Sequence, residues 1–149
     1  ARKYIPGIAI STDIIVGFPG ETEKQFENTA NLCWNIGFSR IHVFRFSPRP
    51  GTPASKMDGK VPAKEISARA WVMKSVRDEQ MLKYNRNMIG KTTEVLIEQR
   101  DKKTGRLEGL TQDYVRVFTQ GADDLIGRVV PVCIEKTAIE SVEGKSQST

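Results

Sequence analysis

The chain has 149 residues, a net charge of +5, and 38% hydrophobic, 28% charged and 7% aromatic residues, which suits one ordinary folded domain or two small ones. At this length folding buries roughly 68–70% of the unfolded surface, so a core needs no metal or disulfide. The sequence shows no apolar run of the ~18 residues that a membrane helix requires and no charged-then-apolar leader. Its only cysteines, Cys33 and Cys133, stand 100 positions apart. They form no C-x-x-C, which excludes a disulfide framework and a zinc or iron–sulfur ligand set built from this sequence alone, and a reducing cytoplasm is the default compartment.

Two kinds of periodicity divide the chain near Gly90. Ile8 to Val16 is an apolar run broken mainly by small polar residues, the pattern of a parallel strand covered on both faces. Gly17-Phe-Pro-Gly20 ends it, and Thr22 with Gln25 forms a capping box. Phe26, Ala30, Cys33 and Ile36 then recur at helical spacing, with Gly37 placed for a left-handed C-cap. Arg40 to Phe46 is a second strand, rich in β-branched and aromatic residues, and the three elements make a βαβ unit that needs further parallel strands. A loop holding Pro48, Pro50, Gly51, Pro53 and Gly59 follows. From Pro62 to about Ile89 the spacing predicts a long helix with Ile66, Ala70, Met73 and Val76 as its buried stripe.

Beyond Gly90 the pattern is all-β. Thr93–Glu98, Arg106–Thr111, Tyr114–Phe118, Val129–Glu135 and Ala138–Val142 read as five short strands, with turn signals at Thr104-Gly105, Gln120-Gly121 and Ile126-Gly127. Five short strands in about 55 residues suit a small closed barrel of the oligonucleotide-binding kind. The resulting division is 1–61 for the α/β part, 62–89 for a connecting helix and 90–144 for the barrel. Residues 145–149 form a tail with nothing to bury, expected to be disordered.

Charge is uneven. Residues 1–89 carry 14 basic and 8 acidic side chains, residues 90–149 carry 9 and 10, and Arg40 to Arg86 alone holds 11 and 4. Such an excess either attracts a polyanion such as RNA or is a solvated face beside an acidic neighbour.

Three places could carry chemistry. Asp13 to Glu21 runs from a strand through a glycine-rich turn to a helix start, where ligands collect in α/β sheets and free N–H groups are expected; an ordinary βα turn reads the same way, with Glu21 complementing the helix dipole. Ser47-Pro-Arg-Pro-Gly-Thr-Pro53 lies on the same rim. Its prolines either present Arg49 in a fixed orientation to a carboxylate or phosphate or merely stiffen a connector. His42 alternates with Phe44 and Phe46 and reads as a hydrogen-bonded core histidine rather than a catalyst, while Trp34 and Trp71 read as packing residues. No hydrolytic triad, paired-carboxylate signature or H-E-x-x-H occurs, so no catalytic or metal-binding residue is assigned within these 149 residues.

The order of these motifs carries a resemblance. Asp13-Ile-Ile-Val-Gly-Phe-Pro-Gly-Glu-Thr22, then Phe46-Ser-Pro-Arg-Pro-Gly-Thr-Pro-Ala54, is similar to the radical S-adenosylmethionine methylthiotransferases. Ile89-Gly-Lys91, Val95-Leu-Ile-Glu98, Gly109 to Val115 and Leu125-Ile-Gly-Arg-Val-Val130 resemble the TRAM domain that ends those enzymes. The resemblance implies the last βαβ portion of a radical SAM βα barrel followed by an OB-like TRAM barrel. It also implies a longer, cytoplasmic, monomeric protein whose preceding cluster-binding and barrel portions hold two [4Fe–4S] clusters. This chain starts without a Met, in what corresponds to the helix before the fifth barrel strand, and lacks the C-x-x-x-C-x-x-C, so alone it is expected to bind no cluster and to be inactive.

By the same resemblance, Gly17, Pro19, Gly20, Glu21 and Ser47 approach S-adenosylmethionine, and Arg49, Gly51 and Thr52 approach the target base. Where the family usually has Tyr-Ser this chain has Phe46-Ser47, without the hydroxyl. Two family branches modify tRNA adenosines beside the anticodon, and a third modifies a ribosomal-protein aspartate and generally has an acidic residue where Arg49 stands. Arg49 therefore favours tRNA, and His42-Val-Phe44 favours the threonylcarbamoyladenosine branch over the isopentenyladenosine one. Lys91, Arg106, Tyr114, Arg116 and Arg128 are the candidate RNA contacts of the barrel, and Lys74, Arg77 and Lys83 those of the long helix. Phe118 and Tyr114 either stack on bases or fill the barrel core. An RNA-binding module without catalysis is the competing reading.

Overall fold

A computed structural model of the chain describes residues 1–5 and 7–147. It separates into two compact units, Ala1–Gln80 and Met81–Thr149, with the division falling inside the long helix.

The first unit begins with strand β1 (Ser11–Val16), helix α1 (Glu23–Ile36) and strand β2 (Arg40–Arg45). The expected capping box is formed: Thr22 and Gln25 each satisfy the other's backbone N–H, and Gly37 closes the helix in the left-handed conformation with φ 66°. β1 and β2 pair in parallel, Asp13 opposite His42 and Ile15 opposite Phe44. A short 3₁₀ turn (Pro53–Lys56) leads to α2 (Ala63–Arg86). The core of this unit joins Val16 and Ile41 of the sheet to Phe26 and Cys33 of α1 and to Ala70, Met73 and Val76 of α2. Burial pushes the Cys33 thiol pKa up, as it does for a thiol in apolar surroundings.

Both helices contribute to one face of this two-stranded sheet. The opposite face, Asp13, Ile15, His42 and Phe44, is exposed, which corrects the expectation of a strand covered on both sides. Apolar content alone cannot tell a covered face from an uncovered one. His42 is accordingly not a core histidine. Trp34 and Trp71 are 42% and 70% exposed rather than packed, since the buried stripes of α1 and α2 run through other positions.

The second unit is the expected five-stranded barrel: β3 (Thr92–Arg100), β4 (Leu107–Thr111), β5 (Arg116–Gln120), β6 (Val129–Thr137) and β7 (Val142–Ser146). The barrel closes in the order β3-β4-β5-β7-β6, with β5 and β7 parallel and the other pairs antiparallel. Val95, Ile97, Leu107, Val117, Val132, Ile134 and Val142 fill the interior, one from every second position, as a period of two requires. Bulges interrupt the register between Ile97 and Gln99 and between Ile134 and Lys136, the devices that let a small sheet curl shut. Closure brings backbones together at Gly109 and Gly144, where a Cβ would run into the carbonyls of Leu96 and Cys133.

The last strand differs from its sequence reading. It spans Val142–Ser146 instead of Ala138–Val142, so Lys145 and Ser146 are paired rather than part of a disordered tail; residues 148 and 149 lie outside the described residues. Closure explains the shift, because β7 completes the barrel between β5 and β6 despite its polar sequence. Ser146 N–H donates to the buried Thr119 hydroxyl at 3.0 Å. Arg100 ties the barrel's turns together, bonding Asp123 at 2.7 Å and the carbonyls of Gly105 and Gly121 at 2.5 and 2.9 Å. Asn85 of α2 donates to the carbonyls of Ala138 and Ile139, both at 3.0 Å.

Candidate functional site

In the first unit, the carboxyl ends of β1 and β2 form a rim with two hollows. The larger, about 390 Å³, is lined by Ile15, Phe18, Phe44, Arg45, Phe46, Ser47, Arg49, Thr52 and Ala54. The smaller, about 140 Å³, is lined by Gly17, Pro19, Phe46, Pro48, Lys60, Val61 and Ile66 among others. Phe46 borders both and meets Phe18 edge to face, with ring centroids 5.2 Å apart, a favoured aromatic geometry. The structure thus brings Ser47, Arg49 and Thr52 into one hollow and Gly17 and Pro19 into the one beside it. Gly20 and Gly51 are exposed and line neither.

The loop after β2 is braced by its own backbone. Thr52 donates through its N–H and its hydroxyl to the Arg49 carbonyl, at 3.2 and 2.8 Å, and the Ser55 hydroxyl donates to the Thr52 carbonyl at 2.7 Å. Thr52 therefore serves the loop's shape with its proton. Among the described residues, the guanidinium groups of Arg49 and Arg45 make no ion pair or hydrogen bond. Sequence reading missed Arg45, Phe18 and Phe44. Their signal was position alone, Phe44 and Arg45 at the end of β2 and Phe18 in the turn after β1.

The glycine turn is more tightly bound than expected. Gly17 N–H donates to Glu21 Oε2 at 2.6 Å, Gly20 N–H to the Gly59 carbonyl at 2.8 Å, and Glu21 N–H to the Phe18 carbonyl at 2.9 Å. The turn's own N–H groups at Gly17, Gly20 and Glu21 are thus already used. Gly17 has φ +77°, and a Cβ there would run into the Ile66 side chain, so glycine is required both for conformation and for space. Glu21, expected to approach S-adenosylmethionine, pairs with Arg69 at 2.8 Å and is 12% exposed. Burial works against the Arg69 charge, but the hydrogen bonds and charges of Glu21 and Glu23 outweigh it and hold the Arg69 pKa above its ordinary value.

On the barrel, Tyr114 is 68% exposed at the β4–β5 turn, with φ 59°. Phe118 is half-buried on the outer surface under the Arg106 guanidinium, 5.9 Å from the ring centroid, so neither aromatic fills the core. Arg106 pairs with Glu143 at 2.8 Å, and Arg116 with the 12% exposed Glu108 at 3.0 Å. Lys91 and Arg128 are exposed but not adjacent: the Lys91 carbonyl accepts from Ile134 and the Arg128 carbonyl from Ile97, at opposite ends of the β3–β6 ladder. The five barrel candidates therefore do not form a single patch. On α2, Lys74 and Lys83 are exposed, whereas Arg77 is bonded to Asp78 at 2.7 Å.

Residues 86–146 match the TRAM domain model. Over 115 residues the chain is 46% identical to a threonylcarbamoyladenosine tRNA methylthiotransferase of Thermotoga maritima, covering 77% of this chain and 26% of that protein. Over 148 residues it is 37% identical to a tRNA-2-methylthio-N(6)-dimethylallyladenosine synthase of Ehrlichia chaffeensis, covering 96% of this chain and 33% of that protein. The chain is homologous to the tRNA methylthiotransferases. It spans about a quarter to a third of the length of these relatives and corresponds to a C-terminal portion of the family. Cys33 belongs to the first unit's core and Cys133 to the barrel, and no group of three or more His, Cys, Asp or Glu side chains among the described residues could hold a metal ion. No helix among them is long and apolar enough to cross a membrane.

Proposed function

We propose that this chain is the end of a cytoplasmic, monomeric tRNA methylthiotransferase, which adds a methylthio group to C2 of threonylcarbamoyladenosine beside the anticodon. The observation that carries this reading is the larger hollow: an aromatic floor of Phe18, Phe44 and Phe46 flanked by the unpaired guanidiniums of Arg45 and Arg49. A purine stacks on such a floor, and a guanidinium fork recognises the carboxylate of a threonylcarbamoyl group, which an isopentenyl group lacks. The higher identity to the threonylcarbamoyladenosine relative points the same way.

S-adenosylmethionine fits the turn as found. Its adenosine carries no phosphate, and the turn offers ring and backbone surface rather than anion-binding amides. Gly17, Pro19 and Gly20 supply that surface, Ser47 a hydroxyl beside it, and Gly51 and Thr52 shape the loop that presents Arg49. When bound at a cluster, this cofactor supplies the radical that activates the base for sulfur insertion. Both [4Fe–4S] clusters belong, in this reading, to residues outside these 149, and the segment alone is inactive. The TRAM barrel contributes tRNA affinity.

In the complete enzyme, Arg49→Ala is expected to lower kcat/KM for threonylcarbamoyladenosine tRNA at least tenfold, the loss expected when a charged substrate group loses its partner. Folding should be unchanged. Unaltered turnover removes Arg49 from the site, and efficient turnover of isopentenyladenosine tRNA by the wild type would reassign the branch.

A further inference from the structure

The glycine turn is latched from behind by a residue with no sequence signature. Arg69 of α2 is 5% exposed. Its Nη1 donates to the Glu21 backbone carbonyl at 2.9 Å and to Glu21 Oε2 at 2.8 Å. Its Nη2 reaches Glu23 at 3.2 Å and lies 3.6 Å from Glu65, and the guanidinium sits 5.5 Å from the centroid of the Phe26 ring. The oxygen of Glu21 that takes the Arg69 bond is the same one that accepts the Gly17 N–H at 2.6 Å. A continuous chain of bonds therefore runs from Arg69 through Glu21 to Gly17.

Burying a guanidinium is costly, and three carboxylates converge on the two Nη groups of this one while its buried Nε has no hydrogen-bond partner. Two of them, Glu23 and Glu65, are more than half exposed and do not touch the turn. Glu21 differs, because it converts the position of Arg69 into the position of the Gly17 amide. That bond holds the first amide of Gly17-Phe18-Pro19-Gly20, the turn whose Phe18 ring lines the larger hollow.

We infer that Arg69 is a positioning residue for cofactor binding: through Glu21 it fixes the Gly17–Gly20 turn, and Glu21 is a latch rather than a ligand. This rests on the reading of the turn as the place where S-adenosylmethionine binds. The groups that would touch the cofactor are Gly17, Pro19, Gly20 and Ser47; Arg69 and Glu21 act one layer behind.

The test uses the complete protein and three measurements: equilibrium binding of S-adenosylhomocysteine, hydrogen exchange of a peptide covering Gly17, and thermal unfolding. Arg69→Met should weaken binding about tenfold or more, as expected when a binding surface is misplaced by a fraction of an ångström or more, and should speed Gly17 exchange. Arg69→Lys, which keeps one bond to Glu21, should recover part of both. Met73→Ala, a core substitution in the same unit, should lower the melting temperature while leaving affinity and Gly17 exchange near wild type. If Arg69→Met does not fold, Arg69→Lys and Glu21→Gln decide, the latter keeping an acceptor for Gly17 and hence most of the affinity. Wild-type affinity in Arg69→Met, or an equal loss in Met73→Ala at a matched melting temperature, overturns the inference. A wild-type protein that fails to bind S-adenosylhomocysteine sinks the cofactor reading, while unchanged Gly17 exchange in Arg69→Met separately sinks the latch.

Discussion

In the barrel every strand has two hydrogen-bonded neighbours, whereas β1 and β2 have only each other. The difference reaches the side chains. All seven interior positions named above are sealed, with Val95, Ile97, Leu107, Val117, Val132 and Val142 at 0% exposure. On the sheet of the first unit, Ile15 and Phe44 remain 53% and 51% exposed on a face that carries Asp13 and His42 as well. A closed barrel removes its edges; a two-stranded parallel sheet keeps both and leaves one face for something else to cover. The barrel's shape is set by its own residues. The βαβ unit holds one finished face, built by α1 and α2, and one that is chemically mixed.

The sharpest way to break that comparison is to truncate one side chain in each unit. Leu107→Ala should destabilise the barrel by about 2–5 kcal/mol, the usual cost for a sealed leucine. Ile15→Ser, on the open face, should stay within about 0.5 kcal/mol in this chain. Urea unfolding followed by hydrogen exchange in each unit separates the two effects. Equal costs would show the open face to be covered. In the complete enzyme, where this face lines the proposed base-binding hollow, Ile15→Ser should lower tRNA modification more than stability.

Gly17→Ala tests the finished side of the βαβ unit. The positive φ and the collision with Ile66 of α2 act together, and a loss of about 2 kcal/mol is expected from strain and overpacking combined. Ile66→Ala, combined with it, should relieve the collision but not the strain, recovering part of the loss. Full recovery would assign the glycine to space alone.

These contrasts also explain what was legible in the sequence. Caps and turns were readable because their chemistry is local: Thr22 and Gln25, Gly37, and the proline-stiffened loop all act within a few residues. The barrel was readable from alternation, since its interior is lined by every second residue. What could not be read were facts of coverage. The run Ile8–Val16 looks the same whether one face or two are buried, so β1 was expected to be fully enclosed and His42 to lie in a core. β7 carries Val142 as its one fully buried residue, and barrel closure rather than hydrophobicity draws in Lys145 and Ser146. At the site, Arg49 could be singled out from its flanking prolines. Arg69 could not, because a lone helical arginine between Ala68 and Ala70 reads as solvent-facing until the turn it grips, 48 positions away, is folded against it.

The comparison extends to RNA. The barrel's four basic candidates are dispersed, and two of them, Arg106 and Arg116, are paired with carboxylates, so each should add little alone. Charge reversal of Lys91 and Arg128 together should lower the salt slope of tRNA binding by at most about two ion equivalents. Reversal of Lys74 and Lys83 on α2 should lower it similarly. A slope that responds to the first pair and ignores the second would place recognition on the barrel.

The smallest expected effect lies where α2 enters the barrel unit. Tyr84 packs against the barrel core and donates its hydroxyl proton to Asp113 at 3.1 Å. Burial, followed by the charge and hydrogen bond of Asp113, pushes the Tyr84 pKa up to about 12, against about 10 for an unfolded tyrosine. The folded state thus holds this proton more tightly than the unfolded state does. The stabilisation from that proton is complete below about pH 10 and is lost as pH rises through about 12, where both states are ionised and folding must bury a phenolate beside a carboxylate. Tyr84→Phe should cost about 1 kcal/mol at neutral pH, the net worth of one hydrogen bond, and should flatten the fall of barrel stability between about pH 10 and 12. Thermal unfolding of wild type and variant across that range reads both effects. A parallel fall in the two proteins would assign the alkaline instability to lysines elsewhere and leave Tyr84 with packing alone.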